Sequence, residues 1–167
     1  MGLEGRAVTL SLTVNADDVL RAVLKAPELL VRELDKAIGR SVHTMARTAR
    51  KESPKHTSVL TNSINVERPN RLEGLVRVGV AYGLYVHEGV KPGSFPNVEH
   101  IHDWVRQRGL VPVVPGEDTN DIAWRVARSL ARRGQPPRPF LTRAFNAHRA
   151  EAQRRVDVAI RRALDAV

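Results

Sequence analysis

Cysteine is absent from this chain of 167 residues, and aromatic side chains are scarce. Without cysteine there is no disulfide, no thiolate metal ligand and no cysteine nucleophile. Aromatic residues make up 4% of the sequence, so the core must consist mainly of aliphatic and alanine side chains. No apolar run approaches the roughly 18 residues of a membrane-spanning helix. Residues 1–14 show no signal-peptide pattern, so we expect a protein made in a cytoplasm and not secreted.

Negative charge is also in short supply, with 18 Asp and Glu against 27 Lys and Arg and a formal charge of +9. Such a surplus attracts nucleic acid, acidic partners or anionic membranes. Most of the cations are Arg, whose planar guanidinium also suits protein interfaces. Charge alone therefore does not select a partner.

The first half of the chain alternates between strand and helix patterns. Residues 7–14 alternate apolar and polar side chains, which predicts a half-buried strand, and Asn15 then fits a helix N-cap. Pro27 fits the first turn of an amphipathic helix of about 25 residues. Ser53-Pro54 ends this helix, because the residue before proline is displaced from helical geometry.

A helical turn and a β-hairpin are predicted next. Residues 57–63 fit one turn with Thr57 as its N-cap. Residues 64–68 and 75–82 have the character of strands, and the turn formers between them indicate an antiparallel hairpin. In the second strand, the alternation places Tyr82 on the same face as the preceding valines.

Three further helices are predicted in the second half. Asn97 and Gly109 fit the start and end of one helix, and Asp118 and Gly134 those of another. The last helix runs from about Phe140 to the C-terminus. The two intervening stretches, 90–97 and 110–117, are loops by composition, and we expect them to order on assembly.

These elements indicate an α+β fold in which a small antiparallel β-sheet packs against long α-helices. We expect a single domain over residues 1–167, because the length suits one domain and no boundary is evident.

The densest group of metal-capable side chains is Glu99, His100, His102 and Asp103. Zinc ligands on one helix usually lie four residues apart, on one face. His100 and His102 are two residues apart and point in different directions on a helix. We therefore expect a polar helix surface and no metal site.

The sequence also lacks the motifs that are typical of catalytic sites. No Gly-x-Ser-x-Gly turn or Gly-rich phosphate loop occurs, and His56-Thr57-Ser58 is too local to form a triad. His87 and Glu88 could act as an acid–base pair, but they follow two tyrosines in a segment typical of an interface. We expect no enzyme activity, no catalytic residue and no cofactor.

Basic residues also crowd the last helix between Arg149 and Arg162. Such a row could follow a phosphate backbone. However, Glu151 and Asp157 interrupt it, no aromatic ladder accompanies it, and no helix-turn-helix or zinc-finger signature is present. A solvated or subunit-facing helix is favoured over a dedicated nucleic-acid binder, which stays an alternative.

Three blocks carry a family resemblance. The first is Ser53–Ile64, with Thr57, Leu60, Ser63 and Ile64 at its key positions. The second is Tyr82–Gly89, with Tyr82, Tyr85, Val86 and Gly89. The third, Arg138-Pro139-Phe140-Leu141, opens the last helix. In this order and spacing, from about residue 27 to the end, the chain resembles the tail-completion proteins of long-tailed bacteriophages, also called minor tail or virion morphogenesis proteins. Ser58 stands where that family usually has Gly.

The resemblance implies a non-enzymatic structural protein of the phage neck, with an insertion at about residues 90–134 similar to the longer members. It implies a ring-like homo-oligomer that contacts tail-terminator, head-closure or tail-tube proteins, with DNA passing nearby and no membrane. The expected location is the virion neck or tail, after assembly in the host cytoplasm. A tail terminator or another minor tail protein is the alternative within this class.

Aromatic and charged residues in and near the blocks are the candidate contacts with subunits or partners. They are Tyr82, Tyr85, His87, Glu88, Lys91, Phe95, Arg138 and Phe140.

Overall fold

A computed structural model describes residues 17, 20, 24, 27–54 and 58–166. The described structure is 65% helical and contains a two-stranded antiparallel sheet packed against helices. The predicted α+β class is therefore confirmed. The predicted strand over 7–14 and the predicted caps Asn15 and Thr57 lie outside the described residues.

Six helices and two strands follow one another in the part of the chain from residue 27 onward. In chain order they are α1 (Pro27–Glu52), α2 (Ser58–Asn62), β1 (Ile64–Glu67), β2 (Leu75–Val78), α3 (Gly83–Glu88), α4 (Val98–Gln107), α5 (Thr119–Arg133) and α6 (Phe140–Asp165).

The chain divides into two compact units. Of the described residues, unit 1 contains 53, 54, 58–63 and 78–140, and unit 2 contains 17, 20, 24, 27–52, 64–77 and 141–166. The prediction of a single domain over residues 1–167 stays a prediction.

Unit 2 is built on two long helices. Leu30 of α1 is buried with Val156, Ile160 and Ala163 of α6. Strand β1 packs on α1, where Arg50 donates hydrogen bonds from Nε and Nη2 to the carbonyl oxygen of Ile64 at 3.0 and 2.5 Å. The predicted long helix from Pro27 is confirmed.

The core of unit 1 is the pairing of α4 with α5. Ile101 and Val105 are buried against Ala123 and Ala127, whose small side chains permit close helix packing. The predicted starts and ends of both helices are confirmed. Asn97 accepts a hydrogen bond from the Glu99 N–H, Asp118 caps α5, and Gly109 and Gly134 have positive φ.

One sequence prediction about unit 1 needs correction. The second strand ends at Val78, and Tyr82 immediately precedes helix α3, so His87 and Glu88 lie on a helix and not at a strand end. Loop 90–97 has contacts within the chain, since Val90 forms an antiparallel bridge with Gln135 and the Gly93 N–H donates to the Ala131 oxygen at 2.7 Å. Its ordering on assembly stays a prediction.

Candidate protein-binding groove

The three sequence blocks meet in unit 1. The Arg138 N–H donates to the Val86 oxygen at 2.9 Å, which ties the third block to the second. Gly83 of the second block lies against Leu60 of the first, and a Cβ atom on Gly83 would come within 3.2 Å of the Leu60 side chain. The fold thus joins segments that are 20 to 80 residues apart in the sequence.

An open groove of about 300 Å³ lies where these blocks meet. The blocks supply half of its lining, namely Pro54, Leu60, Tyr82, Tyr85, Val86 and Arg138. Helices α4 and α5 and the turn after α5 supply the rest, namely Ile101, Trp104, Arg108, Val126, Leu130 and Gln135. We call this feature the unit 1 groove.

Tyr85 is fixed in the wall of this groove by contacts to the start of α4. Its hydroxyl oxygen accepts a hydrogen bond from the Asn97 N–H at 3.1 Å and lies 3.3 Å from His100 Nδ1. The Tyr85 and His100 rings are also in contact, with centroids 5.9 Å apart. A half-buried tyrosine held this way offers a rigid apolar face at low entropic cost.

Positive charge borders the apolar surface. The Arg108 guanidinium stacks over the Trp104 ring at 5.4 Å from its centroid, and Arg138 is exposed. The groove therefore combines aromatic and aliphatic walls with guanidinium groups. This combination is suited to an apolar protein segment flanked by acidic residues.

Unit 1 also exposes apolar side chains outside the groove. Phe95 and Trp124 are about half exposed and form a pair with ring centroids 5.8 Å apart. In the loop after α4, Val111, Val113 and Val114 are exposed, Val113 to 91%. Exposed aromatic and aliphatic groups of this kind are typical of interaction surfaces.

Two of the eight predicted contact residues belong to the core. Phe140 is fully buried and offers no surface to a partner, and Tyr82, which is 6% exposed, offers only the small part that lines the groove. The prediction placed Tyr82 on a strand that was extended too far, and it chose Phe140 only as an aromatic residue within the third block.

The other six predicted residues are accessible, in different degrees. Glu88, Lys91, Phe95 and Arg138 are exposed, and Tyr85 and His87 are half-buried. Tyr85 and Arg138 line the groove, and Phe95 belongs to the aromatic pair with Trp124.

His87 packs edge-on against the buried Phe140 ring, with centroids 5.3 Å apart. Desolvation in this apolar setting lowers the pKa of His87, and the neighbouring Glu88 carboxylate raises it to a lesser extent. The geometry indicates a packing role for the imidazole.

The histidines of α4 have separate partners. His100 contacts Tyr85, and His102 Nε2 lies 2.9 Å from the Thr119 hydroxyl oxygen. Within the described residues, no group of three or more His, Cys, Asp or Glu side chains could hold a metal ion. None of the helices in that part of the chain is long and apolar enough to cross a membrane.

Sequence reasoning missed Trp124 and the stacked Trp104–Arg108 pair. Trp124 lies off the apolar stripe of α5 formed by Ile122, Val126 and Leu130. A tryptophan outside the buried face of an amphipathic helix is a signal that could have been read from the sequence. The stacking of Arg108 on Trp104, four residues earlier, follows from helical spacing.

Comparison with protein-family models, curated proteins and solved structures finds no match to this chain.

Proposed function

We propose that this chain is a structural protein of a bacteriophage neck, which helps to complete the tail and join it to the head without catalysing a reaction. It acts by binding. Copies of the chain assemble into a ring-like oligomer at the head-proximal end of the tail and contact tail-terminator, head-closure or tail-tube proteins. The virion neck or tail is the proposed location.

The observation that carries this proposal is the meeting of the three blocks around one groove. The blocks were recognised by their order in the sequence, and Leu60, Tyr85 and Arg138, one from each, line a common surface. Three segments that are separate in the sequence therefore contribute to one surface, which depends on the fold and not on a single local motif. The walls contain aromatic and Arg side chains, which dominate binding energy in protein interfaces.

The exposed apolar groups of unit 1 supply a second contact surface. A ring needs two different surfaces on each subunit, because its contacts are heterologous and repeat around an axis. The groove is one candidate surface. The Phe95–Trp124 pair with the Val111–Val114 loop is the other.

The proposal is tested by affinity capture of the tagged chain from cells that produce the phage encoding it, at moderate salt and after nuclease treatment. We expect head-closure or tail proteins in a discrete, large assembly. Recovery of the chain without any head or tail protein would contradict the proposal.

Arg138→Glu gives the matched test of the groove. Its backbone N–H keeps the bond to Val86, while the rim charge is reversed. Arg128→Glu is the control, because Arg128 is an exposed residue of α5 that does not line the groove. We expect capture to fall at least tenfold with Arg138→Glu and to stay within twofold with Arg128→Glu.

A further inference from the structure

A row of basic side chains follows the exposed face of α1 in unit 2. Successive members are three or four residues apart, which places them on one face of the helix. The row consists of Arg32, Lys36, Arg40, His43, Arg47 and Lys51, all exposed. At 1.5 Å per residue it extends for about 28 Å. We call it the α1 basic row.

Helix α6 adds cations across a neighbouring groove of about 360 Å³ in the same unit. Lys36 and Arg40 line it from α1, and Arg154, Arg155 and Arg162 line it from α6. The Arg155 guanidinium also reaches Thr44 of α1, with Nη1 3.3 Å from the hydroxyl oxygen. Two helices therefore contribute positive charge to one surface.

The carboxylates of this surface are engaged by their own neighbours. Glu33 accepts a hydrogen bond from Lys36 Nζ at 2.7 Å, and Glu151 from Arg155. These cations lower the pKa of both carboxyl groups. Among the described residues, no carboxylate forms an ion pair with Arg40 or Arg154, so their charges are available to an anionic ligand.

The surface also lacks the aromatic anchors of a protein interface. All exposed aromatic side chains lie in unit 1, and the only aromatic residue in the sequence of unit 2 is the buried Phe145. Trp, Tyr and Arg are the usual anchors of a protein interface, and of these the surface offers only Arg. Single-stranded nucleic acid is bound by stacking its bases on aromatic rings, so this surface does not suit it either.

We infer that the α1 basic row and the adjoining cations of α6 bind the sugar–phosphate backbone of double-stranded DNA, without regard to sequence. A phosphate backbone is a repeating array of charges that needs only cations at regular intervals. The row has the length of about 8 base pairs, at 3.4 Å for each. This inference does not depend on the proposed neck function, because it concerns a different unit and a different ligand.

The test measures binding of a 20-base-pair labelled duplex by fluorescence anisotropy at several salt concentrations. The variant is Arg40→Glu with Arg154→Glu. The control is Arg106→Glu with Arg128→Glu, which reverses two exposed arginines of unit 1 and leaves the same net charge. We expect the unit 2 variant to bind at least tenfold more weakly and the control to bind within twofold of the wild type.

The salt dependence gives an independent readout. Each phosphate contact contributes about 0.9 to the slope of log affinity against log salt. We expect the unit 2 variant to have a shallower slope by roughly two such contacts. Two unrelated duplex sequences should bind equally. Thermal melting followed by circular dichroism verifies that both variants are folded, and Arg40→Gln with Arg154→Gln provides a milder substitution.

Several results would overturn the inference. Equal weakening by both variants would mean that net charge alone attracts DNA. Tighter binding of single-stranded DNA than of the duplex would contradict a backbone-only site. If poly-glutamate displaces the duplex at an equal concentration of negative charge, the surface binds acidic proteins and not specifically DNA. In contrast, loss of duplex binding by the unit 2 variant, with normal capture of neck proteins, would support the inference and leave the proposed function intact.

Discussion

At the residue scale, Gly89 ends the second sequence block in a backbone conformation and a packing environment that both favour glycine. Its φ of 75° lies in the region that favours glycine. The close approach of another segment was not predictable. A Cβ atom on Gly89 would lie 2.5 Å from the Gln135 oxygen and 2.8 Å from the Pro137 nitrogen.

We expect Gly89→Ala to lower the free energy of unfolding by roughly 3 kcal/mol or more, because overpacking adds to the cost of positive φ. Gly93→Ala is the matched control, since Gly93 has a φ of 86° and open space around its Cα. It should cost about 1 kcal/mol. Urea denaturation measures both variants, and equal losses would show that the backbone contact at Gly89 does not matter.

His87 makes the stability of the protein depend on pH. Its pKa is lowered in the folded state by desolvation beside Phe140, whereas the unfolded chain takes up a proton near the ordinary value of 6.5. The unfolded state therefore binds more protons below that value, and stability is lost as the pH falls from about 7 toward 5.

We expect His87→Gln to lose less stability than the wild type over this interval. His43→Gln, which changes an exposed histidine of α1, should follow the wild type. Urea denaturation at pH 7 and pH 5 gives the comparison. Parallel losses in all three proteins would rule out His87 as the source.

At the element scale, the helices were predictable and the short segment after the sheet was not. Caps and periodicity gave α1, α4, α5 and α6, because these helices carry their own start and stop signals. The valines before Tyr82 favoured a strand to residue 82. The chain instead leaves the sheet after Val78, and the absence of a Cβ on Gly83 permits α3 to pack against Val78 and Leu60.

The start of α5 provides a test of capping. Asp118 accepts hydrogen bonds from the Asn120 and Asp121 N–H groups at 2.8 and 2.9 Å, and Asp121 accepts one from the Asp118 N–H. We expect Asp118→Ala to lower the free energy of unfolding by about 1 kcal/mol. Asp118→Asn keeps a side-chain acceptor and should lose less. A loss as large for Asn as for Ala would contradict the capping role.

At the scale of the whole molecule, the two units differ in the chemistry of their surfaces. Unit 1 contains the apolar groove and every exposed aromatic residue, whereas unit 2 presents basic helix faces. The composition and the sequence blocks indicated an interface surface and a basic surface, but they did not show where in the fold each of them lies. Tyr85 and Arg138 are 53 residues apart, and only the fold brings them to one groove.

The central claim is that the unit 1 groove binds other proteins of the phage neck. The most direct measurement is the mass and composition of the complex captured after nuclease treatment by the wild type, Arg138→Glu and Arg128→Glu. We predict a discrete assembly with tail or head-closure proteins for the wild type and Arg128→Glu, and its loss for Arg138→Glu. An unchanged assembly with Arg138→Glu, or no protein partner for the wild type, would contradict the account.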